Sequence, residues 1–177
     1  MSTPQTAEEE KNIALAKTYM TIAYSPTENK GGSSVSHLCH PPSTSMFWSP
    51  STFPGCSTPH DYADSHAHVM ASVSDLRIVR YDQAWAKDSH VLLRYTAEGS
   101  HCGQPYNGIP AANPPRKARW SAAAIFEIVD GKVKSFVKDW DQKVMQIQLG
   151  WAPVTDSPDP RWNRAMLADP EKAQKTK

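Results

Sequence analysis

The segment 133–141 ends in two carboxylates that could exchange protons with a substrate. A strand period of two places one set of residues on the same side: Val133, Ser135, Val137, Asp139 and Asp141. If this side faces a cavity, it supplies acid–base groups, because burial and a neighbouring negative charge raise the pKa of a carboxyl. Such a carboxyl can take a proton next to a carbonyl and return it elsewhere. The alternative interpretation makes Asp139 a solvated strand end and Asp141 a helix N-cap.

Two histidines could assist these carboxylates. His101 follows Gly99 and Ser100 at the end of a predicted strand, where a neutral imidazole could polarise a carbonyl or orient an aspartate. The alternative for His101 is an exposed loop position. His66 lies on the apolar face of a predicted helix, so it is either an acid–base group in a cavity or a core histidine that binds a backbone carbonyl.

Aromatic and basic side chains are the candidates for substrate binding. Tyrosine and tryptophan can stack on a flat ligand or donate a hydrogen bond to it, and the alternative for each is core packing. Because Arg94 alternates with Tyr95, at most one of the two points inward. The candidates are Tyr95, Arg94, Tyr106, Trp140, Phe47, Trp48 and Tyr62.

Start and stop signals predict two helices before the sheet. A capping-box pattern at Thr6 precedes a helix over 7–24, and Thr58 starts a second helix that is predicted to end near residue 74. Between them, residues 26–57 are rich in Pro, Ser and Gly. This long loop is predicted to contain one short aromatic strand at 46–48 and to cover a cavity mouth.

The second half of the chain predicts hairpin-connected strands. From Leu76 onward apolar residues recur at every second position, as in a strand. Asp130-Gly131 is a strong turn signal, and a last short helix is predicted over 144–149. Helices followed by such strands indicate an α+β fold, in which a curved antiparallel sheet wraps around the N-terminal helices. A sheet of this kind encloses a conical pocket for a small molecule.

Five pieces of the second half resemble, in order and spacing, the SnoaL-like polyketide cyclases of the nuclear-transport-factor-2-like superfamily. They are RYTAEGSH at 94–101, NGIP at 107–110, IFEIVDGKV at 125–133, DWDQ at 139–142 and QLG at 148–150. The first half is similar to the family in its layout.

The resemblance implies a cone-shaped α+β barrel over residues 1–152, with a cavity, no cofactor and often a dimeric assembly. It also implies that the acid–base carboxylate lies at or beside Asp141. Family members close polyketide rings by aldol chemistry, and relatives carry out isomerisations and dehydrations. The expected function is a cofactor-independent cyclase or isomerase that acts on an apolar, polycyclic polyketide- or terpenoid-derived intermediate of secondary metabolism.

Two other functions remain open. A dehydratase on the same fold would use a His–Asp pair, and a non-catalytic dimer would only bind a small molecule. A homodimer is also expected because Phe136 and Trp140 are predicted on the outward face of the sheet, where they would otherwise be exposed. Residues 153–177 are predicted as a proline-rich tail.

Composition argues against several other classes of protein. The formal net charge of +1 does not supply the basic face that nucleic acids need. No apolar run is long enough to span a bilayer and no secretory signal is visible, so a cytoplasmic protein is expected. The three cysteines form no CxxC pair and the histidines between His37 and His68 lack ligand spacing, so no metal is expected.

Overall fold

The elements follow the predicted order of helix, long loop, helix, two hairpins and short helix. The computed structural model describes residues 4–49 and 52–154. The helices are α1 (Ala7–Ala23), α2 (Pro59–Met70) and α3 (Gln142–Leu149). The strands are β1 (Met46–Trp48), β2 (Arg77–Lys87), β3 (His90–Ser100), β4 (Lys117–Val129) and β5 (Lys132–Trp140). The long loop also contains two 3-10 helices, Gly32–Leu38 and Pro42–Thr44. Of the predicted tail 153–177, residues 155–177 lie outside the described part.

Side-chain caps begin α1 and α2 where the sequence predicts them. The Thr6 hydroxyl accepts a hydrogen bond from the Glu9 amide, and the Glu9 carboxylate accepts one from the Thr6 amide. Thr58 and Asp61 form the same reciprocal pair at the start of α2. α2 ends at Met70 rather than near residue 74, because the loop after β3 donates hydrogen bonds to the next two backbone carbonyls.

The strands form an open sheet in the order β1-β5-β4-β3-β2. β1 is parallel to β5, and the other neighbours are antiparallel. Asp130 and Gly131 have φ values of 49° and 66°, as the tight hairpin between β4 and β5 requires. These elements confirm the α+β class, but the sheet is mixed instead of purely antiparallel because of β1. The described strands leave β1 and β2 as the two edge strands instead of closing a cone-shaped barrel, and α1 and α2 pack against the sheet.

A β-bulge in β5 determines which of its residues face the helices. Glu127 pairs with Ser135, whereas the next residue of β4 pairs with Val133, so Lys134 has no partner on β4. One extra residue reverses the alternation beyond it. After the bulge, the residues that face inward are Phe136, Lys138 and Trp140.

Small side chains on β4 leave room on the inner face of the sheet. Ala122 pairs with Tyr95 of β3 and with Trp140 of β5, and Ala124 pairs with Lys138. Because an alanine fills little volume, its larger neighbours extend toward the helices without closing the interior. The sheet therefore has space for a cavity on its helix side.

Candidate functional site

A cavity of about 140 Å³ lies between α2, α3 and the inner face of the sheet. Its lining is mostly aromatic and aliphatic, and in the described part of the chain it contains no aspartate or glutamate. Its buried wall includes Tyr24, Phe53, His66, Trp120, Lys138 and Met145. Its more exposed end includes Pro54, Tyr106, Trp140, Gln142, Gln146 and Trp151.

Lys138 places an amine in the buried wall of this cavity. The residue is 2% exposed, and its Nζ donates hydrogen bonds to the hydroxyl oxygens of Tyr24, at 2.9 Å, and Tyr62, at 2.8 Å. Within residues 4–49 and 52–154 no carboxylate pairs with it. Loss of the hydration of the ammonium lowers the pKa of Lys138 well below its ordinary value.

Four aromatic rings surround the Lys138 amine. The Nζ atom lies 5.4 Å from the ring centroid of Tyr24, 5.0 Å from Phe53, 4.9 Å from Tyr62 and 5.0 Å from Trp140. The ring faces attract a cation and so limit the fall of the pKa. In the neutral amine both N–H groups are satisfied by the two tyrosine oxygens, and the nitrogen lone pair remains free.

Three tyrosine hydroxyls form a connected group beside the amine. The Tyr24 oxygen lies 3.1 Å from that of Tyr95, and Tyr62 donates to it across 3.5 Å. Tyr24, at the end of α1, and Tyr62, on α2, both contact Lys138 of β5, and Tyr95 of β3 contacts Tyr24. Burial raises the pKa of Tyr24 to about 12 and the pKa values of Tyr62 and Tyr95 well above the usual range. All three hydroxyls are therefore protonated at neutral pH and can donate hydrogen bonds.

His66 lies one helical turn after Tyr62 and lines the same cavity. Its Nδ1 is 3.2 Å from the Tyr62 backbone oxygen, and because a carbonyl only accepts, Nδ1 carries the proton. Its Nε2 is then an acceptor, and it has no hydrogen-bond partner in the described segments. Burial lowers the pKa of His66 well below 6.5, so the ring is neutral. Both sequence interpretations of His66, a core histidine and a cavity residue, describe it.

His101 supports the cavity wall from behind. The residue is 1% exposed, its Nδ1 accepts a hydrogen bond of 3.0 Å from the Trp151 indole, and its Nε2 donates one of 3.0 Å to the Gln104 backbone oxygen. Trp151 in turn stacks on Tyr106, with the ring centroids 3.7 Å apart. The exposed-loop alternative for His101 is therefore wrong, and the side chain holds Trp151 in place at the more exposed end of the cavity.

Asp139 and Asp141 face solvent instead of the cavity. Asp139 is exposed on β5, and Asp141 is an exposed N-cap whose carboxylate accepts a hydrogen bond of 3.1 Å from the Val144 amide. The expectation that this side of the strand lines a cavity is wrong, because the bulge at Lys134 reverses the alternation on which it was based. The alternative interpretation, a solvated strand end and a helix cap, describes both residues.

The other predicted binding residues divide between interior and surface. Trp140 and Tyr106 line the cavity. Tyr95, Phe47 and Tyr62 are buried in the adjoining core. Arg94 and Trp48 are exposed, so the structure does not bring them to the cavity. Phe136 is also buried and Trp140 faces the cavity, so the prediction that both lie on the outward face of the sheet is wrong.

Lys138 and Tyr24 were not among the predicted site residues. Lys138 shares its strand face with Phe136 and Trp140, two residues away on either side, and a lysine inside an aromatic row is a usable signal of burial. Tyr24 has no comparable signal, because it is simply the residue that follows α1.

Three further properties concern the described residues alone. None of their helices combines the length and the apolar character needed to cross a bilayer. No three of their His, Cys, Asp or Glu side chains are grouped so that they could hold a metal ion. The three cysteines, Cys39, Cys56 and Cys102, are free.

Comparison with known proteins identifies the fold. No family model and no curated protein matches the chain. A candidate SnoaL-like polyketide cyclase from Jannaschia sp. CCS1 matches with a TM-score of 0.64 and 13% identity, over 86% of this chain and 100% of that one. AclR, a candidate hydroxylase from Streptomyces galilaeus, matches with a TM-score of 0.63 and 18% identity, over 82% and 99%. An NTF2-like protein from Anabaena variabilis matches with a TM-score of 0.57 and 17% identity, over 80% and 96%.

Proposed function

The chain has the fold of the SnoaL-like polyketide cyclases and NTF2-like proteins, and from this premise we propose that it is an enzyme. It cyclises or isomerises an apolar polyketide- or terpenoid-derived carbonyl compound of secondary metabolism by proton transfer, and it needs no cofactor for this step. The observation that carries the proposal is the buried Lys138 amine, which has no counter-ion in the described residues and lies beside tyrosine hydroxyls at a cavity. Groups with displaced pKa values in a cavity are typical of active sites.

In this proposal Lys138 is the base and Tyr24 the hydrogen-bond donor. The free lone pair of the neutral amine accepts a proton from the carbon next to the substrate carbonyl. Tyr24 lines the cavity, and its hydroxyl oxygen accepts a hydrogen bond from Lys138, so the hydroxyl lies next to the base. In this position it donates a hydrogen bond that stabilises the negative charge on the substrate oxygen. The Nε2 acceptor of His66 can bind a substrate hydroxyl. The proton then returns from the ammonium to another carbon of the substrate.

The size of the cavity limits which part of the substrate lies next to Lys138. A cavity of about 150 Å³ accommodates a benzene-sized molecule, and this one has a volume of about 140 Å³. One ring of a polycyclic substrate therefore fits beside the amine. The rest of the substrate would lie toward the more exposed end, against Tyr106 and Trp151.

The dehydratase alternative lacks its central feature in the described residues. There His66 binds a backbone carbonyl, and His101 binds Trp151 and a second backbone carbonyl, so neither histidine pairs with a carboxylate. A His–Asp mechanism therefore has no structural support. Asp141, as an exposed helix cap, gives no support to the aspartate mechanism that the family resemblance implies.

A second candidate function is binding without catalysis. It is favoured by the four rings around the amine, which would stabilise a Lys138 ammonium paired with the carboxylate of a bound aromatic acid. Such a ligand would supply the missing counter-ion. This function predicts binding of benzoate and no effect on the hydrogens of a ketone.

We also propose a homodimer, formed through an outer apolar row on the sheet face away from the helices. Trp85 pairs with Leu92, Leu92 with Ile125, and Ile125 with Val137, which also pairs with Trp48. Trp48, Trp85 and Ile125 are 58%, 50% and 45% exposed. A tryptophan stands at each end and aliphatic residues lie between, so a two-fold axis through Ile125 would match the row with itself.

Hydrogen–deuterium exchange of a simple ketone tests the catalytic proposal. The probe is phenylacetone in D₂O, followed by NMR, with wild-type protein, Lys138→Met and Tyr24→Phe. We expect the wild type to accelerate exchange of the methylene hydrogens, and Lys138→Met to lose at least about tenfold of this rate, as loss of a general base does. Lys143→Met removes an exposed lysine at the start of α3 and is the matched control. Equal rates for wild type, Lys138→Met and Lys143→Met, with all three folded by circular dichroism, would contradict the proposal.

A further inference from the structure

We propose that Lys138 also acts as a nucleophile and holds its substrate as an imine, so that the cavity selects aldehydes and ketones. This inference rests on the proposed function, because it places the same substrate in the same cavity. It goes beyond proton transfer, since it predicts a covalent bond between the protein and the ligand.

The position of the amine suits attack on a carbonyl carbon. Nζ is anchored by two hydrogen bonds, to Tyr24 and Tyr62, which use both N–H groups of the neutral amine. The remaining lone pair is the nucleophilic electron pair. Lys138 lines the cavity, so a carbonyl compound bound there is held next to it.

None of the described titratable groups around Nζ supplies a negative charge that would hold the nitrogen as an ammonium. The titratable side chains that face it are Tyr24 from the end of α1, and Tyr62 and His66 from α2, with Tyr95 of β3 behind Tyr24. The tyrosines are protonated and the imidazole is neutral, so none of them supplies a negative charge. Burial also lowers the pKa of Lys138, and none of the described residues supplies a counter-ion, so the amine fraction at neutral pH increases.

The reaction balances with the groups that are present. The nitrogen lone pair forms a bond to the carbonyl carbon, the C=O π electrons move to oxygen, and the Tyr24 hydroxyl donates its proton to that oxygen. One proton from nitrogen returns to the Tyr24 oxygen, which leaves a neutral carbinolamine. The nitrogen lone pair then forms the C=N bond while the hydroxyl leaves with a proton from Tyr24 as water. The product is a protonated imine beside a tyrosinate, and transfer of the iminium proton back to Tyr24 gives the neutral imine.

The aromatic rings also suit the product. A protonated imine carries a positive charge at the position that the amine nitrogen occupies, and four ring faces lie about 5 Å from that position. The apolar lining disfavours the water that would hydrolyse the bond. An iminium also withdraws electrons from the adjacent carbon and makes its hydrogens more acidic. Because the Lys138 lone pair is then part of the C=N bond, the base in the covalent complex would be the Nε2 acceptor of His66 instead of Lys138.

Reductive trapping with benzaldehyde tests this inference. Benzaldehyde has one ring and no hydrogen on the carbon next to its carbonyl, so it reports imine formation apart from proton transfer. The full-length protein is treated at neutral pH with benzaldehyde and sodium cyanoborohydride, which reduces the imine to a stable benzylamine. Peptide mapping by mass spectrometry then locates the added benzyl groups. Exposed lysines ordinarily titrate near pH 10.4 and react slowly at pH 7.

We expect Lys138 to acquire the benzyl group at least about tenfold faster than exposed Lys143, and Lys138→Met to lose this fast phase while Lys143→Met keeps it. Benzylation of Lys138 no faster than that of Lys143 would overturn the inference. If benzylation is slow but Lys138→Met abolishes phenylacetone exchange, Lys138 acts as a general base only. The proposed function then stands without the imine. If instead Lys138 is trapped rapidly but phenylacetone exchange does not depend on it, the imine stands and the proton-transfer function fails.

Discussion

The Nζ atom of Lys138 lies 2.8 Å from the hydroxyl oxygen of Tyr62, so β5 and α2 are joined inside the core by a hydrogen bond whose donor has no counter-ion in the described residues. The same tyrosine binds His66 through its backbone oxygen. The turn of α2 from Tyr62 to His66 therefore carries one nitrogen base of the candidate site, the His66 imidazole. Through the Tyr62 hydroxyl it also accepts a hydrogen bond from the other base, the Lys138 amine. Its conformation depends on the capping box at Thr58, one turn earlier.

Replacing Lys138 by Met is expected to change how stability depends on pH. The pKa of Lys138 is lowered by folding, so the unfolded chain binds the proton more tightly and wild-type stability rises as pH increases toward the unfolded value near 10.4. The free energy of unfolding of Lys138→Met relative to wild type should therefore fall by up to about 1.4 kcal/mol per pH unit in this window. Urea unfolding from about pH 7 to pH 9.5 measures this. A difference that is constant across the range would contradict the burial of an unpaired amine, and Lys143→Met should show no such trend.

The buried, neutral His66 is expected to make the protein less stable as the pH falls below about 6.5. Its pKa is lowered by folding, so stability is fully present above the unfolded value near 6.5 and declines as pH falls below it. His66→Gln should flatten the decline of the melting temperature between about pH 6.5 and pH 4.5. His68→Gln changes an exposed histidine of the same helix and should keep the wild-type slope. Identical slopes for the two variants would show that His66 is not the group responsible.

Substitution of Asp141 is expected to affect stability and to leave catalysis intact. Asp141→Ala removes the N-cap of α3 and should lower the free energy of unfolding by about 1 kcal/mol, whereas Asp141→Asn keeps a capping oxygen and should cost less. Both variants should retain phenylacetone exchange within about twofold of wild type, because the carboxylate is exposed and is not among the residues that line the cavity. A loss of tenfold or more in folded Asp141→Asn would restore the aspartate mechanism.

A lysine in the outer apolar row is expected to prevent dimerisation. Ile125 is the central residue of the row, so Ile125→Lys places two positive charges close together at the proposed two-fold axis. Size-exclusion chromatography with light scattering should give about twice the chain mass for the wild type and the mass of a single chain for the variant. Glu28→Lys, on an exposed loop after α1, is the charge control and should remain dimeric. A wild-type protein with the mass of one chain, 19.6 kDa, would contradict the dimer.

Local signals predicted most of the fold. Thr6 and Thr58 begin α1 and α2 because a cap depends only on residues within one turn, and Asp130-Gly131 forms the hairpin for the same reason. The parallel pairing of β1 with β5 was not predicted, because it joins segments that are far apart in the chain. The end of α2 was predicted too late, because it depends on hydrogen bonds with a loop about 30 residues further along the chain.

The candidate site could be predicted only in part. The strand that carries it was identified, but strict alternation placed the wrong side of that strand at the cavity. The bulge at Lys134 depends on pairing with β4 and has no turn residue to mark it. Lysine is also rarely buried, so its residue type argued against Lys138 as an interior group. Tyr24, which comes from the other end of the chain, was brought to the site by packing alone.

The position of that bulge has a consequence for the comparison of related chains. If β5 continued in the register of its first two pairs, Asp139 would stand opposite Ala122 and Asp141 opposite Trp120, both on the helix side of the sheet. Absorbing the surplus residue before Phe136 presents an amine to the interior, whereas absorbing it only after Asp141 would present the two acids. Two proteins with identical β5 sequences can thus differ in their reactive group, and an alignment of letters would not distinguish them.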